Sequence, residues 1–435
     1  MTQSTNPVSP PSTAVTTLKW SMGLLFLVSF FNYMDRYMLA VLLPSIKADL
    51  NLSDAQLGII SGTAFTLFYA TLGVPIARLA DRFSRRKIIS AALAVWSLMT
   101  AVCGTAQTFV QLALARVLVG VGEAGATPPS HSLISDYYPV SKRAKGIAIY
   151  SLGAPVGILI GFIVGSWLAE NYSWRHALFV VGVPGILLSL LVLKFLHEPT
   201  RGASEAKSNP NPNSDQAQLG FKDSMRTLAA SRAFWMFSVG TGLYTIVWLG
   251  AVGWLPSYFT RSFDMTLTQA GFWLAIVLGV SQIFGMLASG WITDRLVTRH
   301  VRWYALIPGL AIAVSIPIFA GVFMTQSPWM ALGLLFPAFM ISVMQGPATF
   351  AGIQGLVPTT MRATASAVLL LVTNVIGGGL GPPLIGYVSD RMQGEYGDDG
   401  LRVSLLVICC GCSALSALAY FIGSVYMKRE FRSST

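Results

Sequence analysis

Twelve apolar runs divide this 435-residue chain from end to end, at approximately 20–46, 55–77, 88–106, 109–133, 147–169, 177–193, 233–258, 265–293, 303–324, 329–357, 363–389 and 403–427. Crossing about 30 Å of hydrocarbon as a helix takes about 20 residues, so each run can span a bilayer. A spanning segment must satisfy its own backbone polar groups, which runs of this length can do only as helices. The expected fold is an all-α membrane protein of twelve transmembrane helices. Only 11% of the residues are charged, where a soluble domain carries about a quarter, and this excludes a water-soluble enzyme or binding module.

An even number of crossings returns both termini to one side. If that side is the cytoplasm, cytoplasmic segments hold 22 of the 29 Lys and Arg and 8 of the 18 acidic residues, and the outer loops hold 5 bases and 8 acids. Basic segments are retained in the cytoplasm, so both termini are expected inside. The net charge of +11 then reports topology and not nucleic-acid binding. The compact chain points to a bacterial inner membrane, to membrane lipid as surroundings and to a monomer. Residues 1–17, polar and rich in Ser, Thr and Pro, read as a disordered start with no cleavable signal peptide.

The longest polar segment, 197–232, carries Asn-Pro-Asn-Pro-Asn at 209–213 and reads as a flexible cytoplasmic linker between two six-helix bundles, 18–196 and 233–427, with a short tail at 428–435. The bundles echo each other, as in transporters built from parallel repeats. Asp81-Arg82 after the second span recurs as Asp294-Arg295 after the eighth. Pro139-Val-Ser-Lys142-Arg143-Ala144 after the fourth recurs as Pro358-Thr-Thr-Met-Arg362-Ala363 after the tenth.

The corner Ala77-Arg-Leu-Ala-Asp81-Arg82-Phe-Ser-Arg85-Arg86-Lys87 resembles the signature loop of the major facilitator superfamily, with Ala77 and Ser84 in place of its two glycines. A carboxylate there can accept hydrogen bonds from a helix N-terminus and from Arg. Asp81, Arg82, Arg85, Arg86, Asp294 and Arg295 are therefore the expected cytoplasmic latch, although the bases also serve to fix topology. In the fifth span Gly153, Gly157, Gly161 and Gly165 recur every four residues around Pro155. This resembles the glycine/proline motif of antiporters in the superfamily, and close helix packing explains it equally. Gly377-Gly378-Gly379-Leu-Gly381-Pro382-Pro383 in the eleventh span predicts a bend.

Charges inside a membrane are costly and normally face a water-filled cavity or one another. Four occur here: Asp35 and Arg36 in the first span, Arg116 and Glu123 in the fourth. Asp35 and Arg116 fall at similar depth, so an ion pair between them is feasible. Seven residues put Arg116 and Glu123 on one helical face about 10 Å apart. Adjacent Asp35 and Arg36 point about 100° apart, so Asp35 is expected to face the cavity while Arg36 pairs with Glu123 or another helix. All four are assigned to proton coupling or gating, the alternative being fixed ion pairs that merely hold the first bundle together.

Asn32-Tyr33-Met34-Asp35-Arg36, Arg116-Val-Leu-Val-Gly120-Val-Gly122-Glu123-Ala124, Tyr150-Ser-Leu-Gly-Ala-Pro155 and Ser173-Trp174-Arg175 together resemble the Spinster transporters. That resemblance implies an alternating-access carrier for lysolipids or sphingoid lipids, coupled to protons. Anion:cation symporters of sugar acids share part of the pattern, and the doubled glycine before Glu123 favours Spinster. The second bundle has no intramembrane charge, which suits an amphiphile whose head group sits near Arg116 and whose tail runs along spans seven, eight and ten. Arg116, Tyr244, Trp248, Gln345 and Asn374 are the expected substrate contacts, with Trp254, Phe272, Trp273, Gln282 and Phe350 as further candidates. When substrate engages Arg116, Asp35 would lose its partner and gain a proton.

No cofactor is expected beyond the proton as coupling ion. Cys103, Cys409, Cys410 and Cys412 read as packing residues, since their spacing supplies no four-ligand metal site. The four histidines lie at or beyond the predicted helix ends, so an enzyme is not expected. A membrane sensor that binds without translocating is the remaining alternative.

Overall fold

The structure is a computed structural model that describes residues 12–139, 142–201, 221–358 and 361–430. Helix is the only regular secondary structure among them. Ten crossings are α1 (Thr16–Leu50), α2 (Asp54–Ala80), α3 (Arg85–Cys103), α4 (Phe109–Tyr137), α5 (Lys145–Asn171), α6 (Trp174–Phe195), α7 (Arg232–Phe263), α8 (Leu267–Val297), α9 (Trp303–Met324) and α10 (Pro328–Leu356). The last apolar stretch, Thr364–Met427, is 64 residues long. It reverses at Gly397, whose φ of 56° is a conformation glycine adopts without a side-chain clash. It is therefore two crossings. The first is α11, which runs from Arg362–Thr373 through a π-helical turn at Asn374–Gly378 into Gly379–Tyr396. The second is α12, Gly400–Glu430. The expected twelve helices are present, and the glycine-rich stretch of α11 bends as expected.

Five of the helices that start on the side away from the termini, called here the far side, are capped alike. Ser53, Thr108, Ser173, Thr266 and Ser327 each accept a hydrogen bond from the amide three residues on, opening α2, α4, α6, α8 and α10. Such a cap stabilises a helix by about 1 kcal/mol and fixes where it starts. Both α4 and α10 are broken near their middles, after Glu123 and before Gln345.

Packing repeats as well. In the first bundle α1 lies along α5 and α3 along α6; in the second, α7 lies along α11 and α9 along α12. The glycines of α5 form the contact with α1: a Cβ on Gly157 would lie 2.4 Å from the Phe30 carbonyl oxygen. The stripe is thus a backbone-to-backbone seam on the very helix that carries Asp35 and Arg36.

Three expectations about the termini-side segments change. The first helix begins at Ser12, so residues 12–17 belong to α1, and 1–11 lie outside the described residues. The linker contains a helix, Phe221–Ala230, ordered because Leu228 is buried and packs with Phe234 and Ala233 of α7; Asn209–Asn213 lies outside the described residues. Residues 428–430 continue α12, and the Glu430 carboxylate accepts from the Ser231 hydroxyl at 2.6 Å and the Arg232 amide at 3.0 Å, closing the start of α7.

Candidate functional site

At mid-membrane α1, α2, α4, α7 and α11 surround a cavity of about 100 Å³ lined by Tyr33, Arg36, Phe65, Arg116, Leu249 and Asn374, among others. The four intramembrane charges meet beside it as two ion pairs. Arg116 Nη1 donates to Asp35 Oδ1 at 3.0 Å, and Arg36 Nε donates to Glu123 Oε2 at 2.5 Å. Both pairings anticipated from the sequence are found.

The direction of Asp35 is not as expected. Asp35 is 1% exposed and sits behind the cavity wall, where the Thr100 hydroxyl of α3 donates to its second oxygen. Arg36 and Arg116 form the wall instead. The reason is helix rotation: the face of α1 that carries Asp35 turns toward α3 and α4, so the adjacent residue turns toward the centre. Arg36 is held over the rings of Tyr69, Phe65 and Tyr33 at 4.2, 4.7 and 5.6 Å, and Arg116 stands 5.2 Å over Phe65. Glu123 is wholly buried, and its Oε1 has no hydrogen-bond partner.

Glycine sets this geometry. A Cβ on Gly120 would lie 2.4 Å from the Phe65 carbonyl oxygen, and one on Gly122 would lie 2.7 Å from the Trp96 amide nitrogen. The Gly-Val-Gly-Glu run therefore lets α4 press on α2 and α3 at once, which delivers Glu123 to Arg36.

Of the five expected substrate contacts, Arg116 and Asn374 line the cavity, and Asn374 opens the π-helical turn of α11. Tyr244, Trp248 and Gln345 do not reach its wall. The Tyr244 hydroxyl is hydrogen-bonded to Ser342 at 3.0 Å, Trp248 packs edge-on to Phe339, and Gln345 Oε1 accepts from the Tyr420 hydroxyl at 2.9 Å. The polar atoms of Tyr244 and Gln345 are thus engaged within the second bundle. Trp254 is buried, with Nε1 bonded to the Pro382 carbonyl at 3.0 Å, while Phe272 and Trp273 lie on the exposed surface. The eighth span therefore does not bring these rings to a tail site. Thr100, Tyr33, Phe65 and Tyr69 were missed; only the spacing of Phe65 and Tyr69, one turn apart on α2, hinted at a shared face.

The latch residues separate. Arg85 is buried within the first bundle, where it ion-pairs with Asp136 and donates to the Ser132 hydroxyl and the Pro199 carbonyl, both at 3.0 Å. Arg82, Asp294 and Arg295 are exposed and Arg86 is partly buried; the side chain of Asp81 lies outside the described residues.

A network of hydrogen bonds and ion pairs joins the two bundles on the far side. Asp54, wholly buried at the start of α2, receives Arg261 of α7 in a bidentate pair at 2.7 and 2.8 Å, the Ser389 hydroxyl of α11 at 2.6 Å and Lys47 of α1 at 2.6 Å. Asp390 of α11 accepts the Asp54 and Ala55 amides at 2.9 and 2.8 Å, so one bundle caps a helix of the other. Glu170 of α5 likewise accepts the Thr268 amide of α8 at 2.6 Å. Thr63, in the π-helical turn Ile59–Thr63 of α2, donates to the Gly379 carbonyl at 2.6 Å. These contacts close the cavity toward the far side.

Two repeated six-helix bundles, a mid-membrane cavity between them and paired charges at its wall define an integral membrane transporter. The family model of the Major Facilitator Superfamily matches residues 25–382, and the chain belongs to that superfamily. An MFS-type efflux pump of Mycolicibacterium smegmatis is 29% identical over 410 residues, 94% of this chain and 93% of the pump. Protein spinster of Drosophila melanogaster is 25% identical over 421 residues, covering 92% of this chain and 68% of that protein. The probable L-galactonate transporter of Escherichia coli is 26% identical over 414 residues, covering 92% and 88%. A crystal structure of a bacterial homologue of the human lysosomal transporter Spinster, inward-facing and unoccupied, matches with a TM-score of 0.87 at 29% identity, over 95% of this chain and 98% of that one. Within the superfamily the chain resembles Spinster.

Proposed function

We propose that this chain is a secondary active transporter that works by alternating access and couples protons to the movement of an amphiphilic lyso- or sphingolipid, or a similar organic anion. The observation that carries the reading is the pair of arginines on the cavity wall, each tied to a buried carboxylate. An anionic head group entering the cavity competes with Glu123 for Arg36. Freed of Arg36, Glu123 is an unpaired charge in a dry site, and a proton neutralises it at least cost. Substrate and proton then favour each other by the same factor, because linkage is reciprocal. Asp35 and Thr100 keep Arg116 aimed at the same anion, and Leu249, Val252 and Gly253 of α7 meet the start of the tail.

The charge asymmetry supports termini in the cytoplasm; a monomer in the plasma membrane of a bacterium belongs to the same proposal. Closure on the far side fits an inward-facing state, which is the state of the bacterial Spinster homologue that the chain matches. When the far side opens, Asp81, Arg82 and Arg86 would meet the second bundle near Asp294 and Arg295 as the cytoplasmic latch, with Arg85 serving as an internal clamp.

Flux into proteoliposomes under a proton gradient tests this, with labelled lysophospholipid and labelled L-galactonate offered side by side. Lysophospholipid movement that is lost in Glu123→Gln supports the proposal. The likeness to the L-galactonate transporter and the polar wall formed by Arg36, Arg116 and Asn374 favour sugar acids as the second reading, and gradient-driven L-galactonate movement alone would establish it. Binding without flux of either compound would make the protein a sensor.

A further inference from the structure

A proton that neutralises Glu123 must still travel between a wholly buried carboxylate and water on the termini side. Below Glu123 the chain of α4 turns through Ala124–Ala126 and resumes as the helix Thr127–Tyr137. Within that resumed helix His131 is four residues beyond Thr127, so the two fall on one face, a turn apart. From α5, buried Tyr150 directs its hydroxyl to Thr127 Oγ1 at 3.4 Å and sets its ring edge-on to the His131 imidazole, 5.3 Å between centroids. Tyr150 thus joins the Thr127 hydroxyl to His131 and stands within electrostatic range of Arg36, which holds Glu123; the two hydroxyls and the imidazole can each accept one proton while giving up another.

We propose that His131 is the proton-exchange residue between Glu123 and termini-side water, an inference that rests on the proton-coupled reading above. The sequence had placed His131 at the end of the fourth span; the structure places it inside α4, partly buried, six residues before the helix ends. Imidazole is the side chain that binds and releases protons near neutral pH without special help. The Glu123 carboxyl O–H gives its proton to a hydroxyl oxygen, that hydroxyl passes its own proton on, and an imidazole nitrogen accepts it before releasing it to water. Net charge is conserved at each transfer. The groups packed around His131 leave it free for this. Tyr150 stands beside it from α5, Arg36 lies above among Tyr33 and Tyr69 and is tied to Glu123, and Arg85 from α3 is paired with Asp136 one turn below.

The test compares wild type, His131→Gln and Glu123→Gln as full chains in proteoliposomes, using labelled lysophospholipid. Gradient-driven uptake and gradient-free exchange of label against internal unlabelled lipid are both followed across pH 5–8. His131→Gln is expected to slow gradient-driven uptake at least about tenfold, within the range that a positioned proton-transfer group contributes. Exchange should stay normal, the pH-dependent inflection of wild-type uptake should disappear, and added imidazole should restore rate. Loss of exchange together with uptake, or a wild-type pH profile in His131→Gln, overturns the assignment. Gradient-driven uptake that persists in Glu123→Gln overturns the coupling scheme beneath it instead, so the two failures are told apart.

Discussion

Asp35 and Glu123 are both carboxylates buried against an arginine, yet they are committed differently. Both Asp35 oxygens have donors, one from Arg116 and one from Thr100, whereas Glu123 holds Arg36 through one oxygen and leaves the other bare. Removing a donor from a buried charged group costs about 1–3 kcal/mol. Thr100→Val should therefore lower the melting temperature in detergent while gradient-driven flux survives, and Glu123→Gln should abolish gradient-driven flux with a smaller thermal effect. The opposite division would exchange the roles of the two carboxylates. A third carboxylate shows how pH enters outside the membrane. Burial pushes the Glu198 carboxyl up, but the Ser84 hydroxyl, the Arg85 and Arg86 amides and the Arg85 charge outweigh it and hold the group below its ordinary value. A group lowered on folding contributes stability above its unfolded value and loses it as pH falls through the folded one. Thermal unfolding of wild type and Glu198→Gln should thus differ at pH 5–7 and converge below about pH 4, the ordinary range for a glutamate; a gap that persists in acid would contradict the contact. The four intramembrane charges were legible because no other residue type is so costly in lipid. Which of two neighbours faces the cavity was not, since one step along a helix is 100° and only the packing of α1 on the glycine stripe of α5, with the Arg116 and Thr100 contacts to Asp35, fixes the rotation.

At the scale of helices, small residues decide how closely two backbones approach, and that distance decides where Arg116 and Glu123 end up. Gly120→Ala should be costly, because its Cβ would meet a backbone oxygen of α2 that has no rotamer to escape into. Overpacking of this kind costs about 1–3 kcal/mol. Gly279→Ala on α8 meets nothing within 4 Å and should be neutral or slightly stabilising, since alanine is the better helix former. Melting temperatures of the two variants, with flux measured alongside, check the contrast; equal effects would remove the α4–α2 seam from the argument. The glycine stripe on α5 and the bend in α11 were both readable, because spacing and proline position carry them. The π-helical turn in α2 at Ile59–Thr63 was not, as Ile-Ile-Ser-Gly-Thr lacks a breaker strong enough to announce it. That turn became visible only where Thr63 meets Gly379 across the bundles.

Over the whole molecule, the far-side seal is the part least evident in the sequence, because Asp54 lies more than 200 residues from its partners Arg261, Ser389 and Asp390 in the other bundle, each near the end of its helix. Asp54 binds Arg261, Ser389 and Lys47 at once, and Asp390 caps α2 from the other bundle. Those contacts exist only while the far side is closed; once it opens, water replaces them. Weakening them must therefore shift the population toward far-side opening, by about tenfold for each 1.4 kcal/mol lost. Asp54→Asn leaves Arg261 and Lys47 facing a neutral group in a buried network, a loss of about 3–5 kcal/mol when a buried pair is broken. Asp390→Asn keeps one acceptor oxygen for the two amides and should shift the balance less. Gly386→Ala reaches the same end by contact alone, since its Cβ would lie 2.1 Å from the Asp54 carbonyl oxygen. Ser61, on the cavity wall beneath the seal, reports the outcome when changed to cysteine in a background lacking Cys103, Cys409, Cys410 and Cys412. A membrane-impermeant thiol reagent added from the far side should label Ser61→Cys slowly by itself, faster with Asp390→Asn, and fastest with Asp54→Asn or Gly386→Ala. Unchanged far-side labelling in all three would mean that the cavity is held shut elsewhere.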